Sequence, residues 1–319
     1  MRKEIEIEVQ EEVITLGTDL VYMQKPYWCN AGFYPLKMSL IRPRSFFTYD
    51  KARDPMPVIV WLAGGGWTEV DHNIWIPELT YFAKKGYLIA SVSYSVSPTW
   101  VFPEPLLEVK QAIRYLRAHA EKLNIDPDRI ALMGESAGAH IAALVGTTGG
   151  MEKFERGDYL EYSSGVQAVV LYYPPIDMED FEGRGDIGSY DENPQYLLRG
   201  ELEPQSLFHG MIHVRKSKEA SREMDPRTYV GPDTPPCLLL HGTADTQVSS
   251  YHSEAMYKAL RDAGAEAELY LIRGAEHADH AFVQPEIKEL VLDFLREHLN
   301  TKKIENGSCE NSIKNPSKK

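Results

Sequence analysis

The stretch Gly134-Glu135-Ser136-Ala137-Gly138 can do chemistry because of what flanks it. Residues 129–133 before it read as a buried strand, and residues 139–145 after it read as a helix. A serine on so sharp a strand-to-helix turn has its hydroxyl lifted clear of the backbone. The helix N-terminus beside it favours developing negative charge. GxSxG alone is a weak pattern, but a strand before it and a helix after it make a nucleophile elbow.

A serine hydroxyl attacks well only when a base takes its proton and an acid orients the base. Asp245 closes the loop His241-Gly242-Thr243-Ala244-Asp245 after the strand 237–240, and His277 closes Gly274-Ala275-Glu276-His277 after the strand 267–272. Both loops follow strands at the edge that carries Ser136, in the order serine, acid, histidine. His280 is the rival base, although Gly274 and Ala275 favour a tight turn that presents His277. Asp177, after the strand ending at Tyr173, is the rival acid, and Asp245 leads it. His140 reads as a packed or surface helix residue, and His241 as closing its strand through a backbone hydrogen bond. The run Ala63-Gly64-Gly65-Gly66-Trp67 leaves the strand 58–62 at the same edge. Its glycines let backbone N–H groups curl inward to where an oxyanion forms, and the N–H of Ala137 is a further donor.

These residues need a scaffold that brings strand ends together. Residues 58–62, 88–92, 130–133, 168–171 and 237–240 are continuous apolar runs, as in parallel strands buried on both faces. Residues 104–123, 254–263 and 287–299 carry apolar side chains at helical spacing. Alternating strands and helices imply right-handed crossovers and a mostly parallel, doubly wound α/β sheet. Leu36, Met38 and Leu40 alternate as in a half-buried antiparallel strand, so residues 1–56 are expected to add antiparallel edge strands. Residues 57–300 then form the core. Residues 178–233 break the rhythm with glycines, prolines and short amphipathic pieces at 193–198 and 207–214. They read as a small lid insertion, with an oligomer contact such as a homodimer as the alternative. The polar segment 301–319 reads as a disordered tail.

Composition narrows the function classes. With 43% hydrophobic and 25% charged residues in 319, disorder of the whole chain is excluded. Lys+Arg number 34 against 47 Asp+Glu, and a net charge of −13 disfavours nucleic acid as a partner. No apolar run approaches the roughly 20 residues that cross a bilayer. Residues 1–13 lack the continuous apolar core of a secretory signal, and the widely spaced Cys29, Cys237 and Cys309 form neither a disulfide framework nor a CxxC metal pair. A cytoplasmic protein with reduced thiols is the expectation.

Further motifs join the elbow: Val92-Ser93-Tyr94-Ser95-Val96-Ser97, Phe102-Pro103, Asp126-Pro127-Asp128-Arg129-Ile130 and Gly146-Thr147-Thr148-Gly149-Gly150. Together with the two later loops they resemble the α/β-hydrolase superfamily, in the branch of hormone-sensitive-lipase-like and bacterial feruloyl-esterase-like (BD-FAE-like) serine esterases. The resemblance spans residues 57–299. It implies an α/β-hydrolase fold with Ser136 as nucleophile, Asp245 as acid and His277 as base. The oxyanion hole would be Gly65, Gly66 and Ala137, and no metal or organic cofactor is called for. Two positions depart from the pattern: Ala63 stands where the branch has histidine, and Ser95 where it has arginine. The expected activity is a serine carboxylesterase acting on short-chain or aromatic acyl esters, including acetyl or feruloyl esters of plant-derived sugars. Trp67 and Trp100 are candidates to stack on a small-molecule or oligosaccharide ester, while Trp75 reads rather as core. The alternatives are amide hydrolysis of the arylformamidase or peptidase type and a non-catalytic hydrolase-like binding protein.

Overall fold

Among the described residues eight strands form one sheet in the order β1-β2-β4-β3-β5-β6-β7-β8. They are β1 (Ile14–Pro26), β2 (Phe33–Pro43), β3 (Met56–Leu62), β4 (Leu88–Val92), β5 (Ile125–Glu135), β6 (Ala168–Tyr172), β7 (Cys237–Gly242) and β8 (Ala267–Ile272). The computed structural model describes residues 2–8, 12–26, 32–44, 54–96, 102–178 and 222–300. The tail 301–319, Trp100, Cys29, Cys309, residues 179–221 of the insertion and its pieces 193–198 and 207–214 lie outside the described residues.

The six strands from β3 to β8 pair in parallel, and β2 pairs antiparallel with β1 and with β4. The antiparallel edge therefore sits where the N-terminal pattern puts it. Strand alternation sends successive side chains to opposite faces. Val58, Val60, Leu62, Ile130 and Leu132 enter one core, and Ile59, Trp61, Ala131 and Met133 enter the other. The first core is closed by helices α2 (Glu104–Ala118), α4 (Ala137–Thr147) and α5 (Tyr251–Asp262). The second is closed by α1 (Ile76–Lys84) and α6 (Pro285–Asn300). Helix α4 is buried along its whole length, as an apolar helix of small residues at the centre of such a layer must be.

One expected helix differs. Residues 104–123 are α2 and a short α3 (Ala120–Leu123), broken at His119, whose ring stacks on Tyr115 with centroids 4.1 Å apart. Glu108, Lys110 and Arg114 of α2 are buried among the apolar residues. Buried charge is tolerable when paired. Glu155 accepts from Lys110 at 2.8 Å and from Arg114 at 2.6 Å, and Glu108 receives Lys25 from β1.

Candidate active site

Strand β5 stops at Glu135 and α4 starts at Ala137, so Ser136 alone makes the turn, at φ 51° and ψ −124°. A positive φ on a residue with a Cβ is strained and persists only where the surroundings impose it. Here a Cβ on Gly138 would lie 2.3 Å from the Leu62 carbonyl oxygen, and one on Gly134 would lie 2.7 Å from Gly138. The two glycines let the elbow close on itself and press against the end of β3. The Ser136 N–H donates to Tyr172 O of β6 at 3.0 Å, which ties the turn to the neighbouring strand.

Ser136, His277 and Asp245 meet across the sheet edge. His277 Nδ1 is 2.7 Å from Asp245 Oδ2, and its Nε2 is 3.0 Å from Ser136 Oγ. A carboxylate at Nδ1 requires the proton there, which leaves Nε2 with the lone pair that accepts the serine proton. The loops bearing acid and base are clasped together. Ala244 N–H reaches Ala275 O at 3.0 Å, Gly274 N–H reaches Thr243 Oγ1 at 2.9 Å, and Thr246 donates to Glu276 Oε2 from N–H and hydroxyl. The Asp245 side chain is fully buried, and burial by itself opposes its charge. Hydrogen bonds from His241 and His277, the electrostatic pull of the His277 ring and the Val248 N–H outweigh that, holding the carboxyl well below the usual carboxylate range.

The glycine loop is braced from two sides. Tyr94 Oη donates to Ala63 O at 2.6 Å, and Gly64 N–H donates to the Glu135 carboxylate. Gly65 and Gly66 take φ of 136° and 57°. A Cβ on Gly65 would come within 2.0 Å of Glu69 O. Among the described residues the N–H groups of Gly65 and Gly66 meet no acceptor, so they are available to an incoming oxygen. Both departures from the expected pattern have local replacements. Tyr94 and Glu135 hold the loop at Ala63, while Ser95 donates twice to Glu108, which Lys25 neutralises.

The rivals are occupied elsewhere. Asp177 binds Arg227 at 2.8 Å and Tyr251 at 3.3 Å, and His280 is exposed at the start of a short 3-10 turn, His280–Val283. His140 accepts from Trp67 Nε1 at 3.2 Å and donates to Met224 O at 2.8 Å; burial pushes it down to about 4. Trp67 is 3% exposed beneath the loop, edge-on to His140, so its ring is enclosed rather than offered as an open stacking face. Trp75 is partly buried and donates to Glu135 at 3.1 Å. Cys237 is buried, its thiol pushed up to about 12 by burial, and it is unreactive packing.

Three residues contribute more than the sequence assigns them. Glu135 is buried, and burial raises its carboxyl, opposed by donors from Gly64, Trp75 and Tyr173. Tyr173, at φ 39°, packs edge-on to His277 with centroids 4.6 Å apart. The ring of His241, expected only to close its strand, reaches into the acid's loop. A signal existed for Glu135 alone, as a carboxylate adjoining the nucleophile at the end of a buried strand.

A family model described as BD-FAE matches residues 46–260. Esterase LipQ of Mycobacterium tuberculosis is 31% identical over 228 residues, covering 71% of this chain and 50% of LipQ. The chain spans about half the length of the curated relatives it matches first. A truncated carbohydrate esterase from gut microbiota superposes with a TM-score of 0.68 at 22% identity, covering 90% of this chain and 96% of that one. An acetyl ester-xyloside bifunctional hydrolase from Caldicellulosiruptor lactoaceticus gives 0.68 at 24%, covering 90% and 97%. At these identities the structures bear on the fold, which is the α/β-hydrolase fold.

Proposed function

The chain belongs to the BD-FAE family, and we propose that it is a serine carboxylesterase working through an acyl-enzyme. The observation that carries this reading is the continuous path from Asp245 through His277 to Ser136, at 2.7 and 3.0 Å. His277 Nε2 takes the Ser136 proton as Oγ attacks the ester carbonyl. The oxyanion is received by the N–H groups of Gly65, Gly66 and Ala137. Collapse breaks the bond to the alcohol oxygen, and the alcohol leaves with the proton held on His277. Water then gives its proton to His277, attacks the acyl carbonyl and releases the acid, and Ser136 recovers its proton.

The substrates are small-molecule esters of short-chain or aromatic acids, with acetyl or feruloyl groups on plant-derived sugars, oligosaccharides included, as the favoured class. LipQ bears the name esterase, and one fold neighbour is called an acetyl ester-xyloside hydrolase. Residues 57–300 serve as the catalytic core and 178–233 as a lid. An acidic chain with three widely spaced cysteines fits a cytoplasmic enzyme. No helix among the described residues is long and apolar enough to cross a membrane. A homodimer is compatible with this reading.

The test is labelling by a fluorophosphonate with hydrolysis of acetyl and feruloyl esters alongside. Ser136→Ala is expected to stay folded, to take no label and to lose about 10⁴-fold or more in kcat. A folded Ser136→Ala that hydrolyses at the parent rate would overturn the serine mechanism.

A further inference from the structure

Asp245 lies between two imidazoles. His277 Nδ1 and His241 Nε2 both face Asp245 Oδ2, at 2.7 and 3.3 Å. His241 is fully buried and has two further partners: its Nε2 is 2.8 Å from Val248 O and its Nδ1 is 2.7 Å from Ser253 Oγ.

The proton positions on His241 follow from these partners. A carbonyl oxygen can only accept, so Nε2 carries the hydrogen and Nδ1 accepts from the Ser253 hydroxyl. The other tautomer would set an Nε2 lone pair against a carbonyl and a carboxylate in a fully buried place. The Val248 carbonyl and the Asp245 carboxylate therefore select the ring form that faces the acid with a donor, and Ser253, buried on α5, anchors it by donating to Nδ1.

The same ring closes the loop that carries the acid. Val248 is held by its carbonyl to His241 and by its N–H to Asp245 Oδ1 at 2.8 Å, while Gln247 N–H reaches Oδ1 at 2.9 Å. Oδ1 is thus fixed by backbone donors, and Oδ2 is shared by the two imidazoles. We propose that His241 is a positioning residue for ester hydrolysis: its Nε2–H, bonded to Val248 O and facing Asp245 Oδ2, holds the acid and its loop in line with His277. This inference rests on the esterase reading above.

The arrangement differs from simple packing in what it predicts. A space-filling ring without donors keeps the volume but leaves Val248 O and one side of Oδ2 unpaired, so the acid can turn away from His277. A misplacement of the order of 1 Å near reacting groups costs about 10²-fold in rate. Substrate binding does not involve His241, so the loss falls on kcat rather than KM.

Three variants of the full chain test this: His241→Phe, His241→Gln and Ser253→Ala. Each is assayed for kcat and KM on p-nitrophenyl acetate, for fluorophosphonate labelling rate and for Tm. His241→Phe is expected to lose about 10- to 10²-fold in kcat and in labelling rate, with KM within about threefold of the parent. His241→Gln, which keeps an N–H donor, is expected to recover most of that loss. Ser253→Ala removes the hydrogen bond that anchors Nδ1, so the ring can turn from Val248 O and Asp245 Oδ2, and about a tenfold loss in kcat is expected at nearly parental Tm. A folded His241→Phe with parental kcat would overturn the proposal, as would equal losses in the Phe and Gln variants. If His241→Phe does not fold, an unchanged kcat in Ser253→Ala overturns it. A parent chain that takes no fluorophosphonate and cleaves no ester overturns the esterase reading itself, whereas a labelled parent with unaffected variants overturns only the role of His241.

Discussion

Glu135 accepts the N–H of Gly64, so the residue beside Ser136 holds the glycine loop against the serine turn. The same carboxylate takes the Trp75 indole N–H at 3.1 Å, and it is 8% exposed. One buried side chain thereby ties the glycine loop and Trp75 to the turn that carries Ser136.

Glu135→Ala should therefore lower kcat without removing the nucleophile. Two part-buried N–H donors lose their acceptor, at up to about 1–3 kcal/mol each. We expect a loss of about 10- to 10²-fold in kcat, near the low end of what a missing oxyanion donor costs. KM should change little, Tm should fall, and Ser136 should still be labelled. Steady-state kinetics with a thermal melt decides; a parental kcat would show that the loop holds its shape without Glu135.

The two histidines of the last loop should separate cleanly. His277→Ala is expected to approach the loss seen in Ser136→Ala, because base and nucleophile act as one unit. His280→Ala, altering an exposed side chain, should stay within about threefold of the parent. Comparing kcat/KM for both variants on one ester checks this, and the reverse order would move the base to His280.

Acid should destabilise the fold through its buried neutral histidines. Burial holds His140 and His252 down at about 4, against an ordinary value of 6.5. Below pH 6.5 the unfolded chain takes up protons that the folded one refuses, so stability falls with falling pH and this contribution is exhausted below about pH 4. The loss is on the order of 3 kcal/mol per histidine. In melts from pH 7 to pH 4, His140→Gln should show a shallower decline in Tm than the parent. Parallel curves would mean that His140 takes up its proton in the fold as readily as in the unfolded chain.

If the insertion 178–233 covers the acyl side of the site, small acyl groups should be preferred. Each methylene beyond a full pocket costs about 1–3 kcal/mol. Acetyl to butyryl p-nitrophenyl esters should turn over well, and chains of about ten carbons or more poorly. Shortening the insertion should relax that limit while sparing the acetyl ester. A preference of the intact chain for long acyl groups would make an oligomer contact the better reading of the segment.

Much of this protein was legible along the chain because the signals are local. Continuous apolar runs marked β3, β4, β5, β6 and β7, and their burial on both faces follows from a parallel sheet covered by helices. The elbow was legible because Gly134, Ser136 and Gly138 adjoin one another, and the steric demands on them arise within one turn and the strand beside it. Chain order and strand ends reduced the acid and base to two candidates each. Their choice was tertiary: Asp245 and Asp177 both follow strands, and only the packing of the finished sheet shows one on His277 and the other on Arg227. The brace from Glu135 to Gly64 and the ring of His241 between Val248 and Asp245 were likewise invisible in the sequence. A carboxylate before a serine and a histidine at a strand end have many possible partners. Which one each meets depends on strand register, loop closure and the exclusion of water, none of which is a property of neighbouring residues.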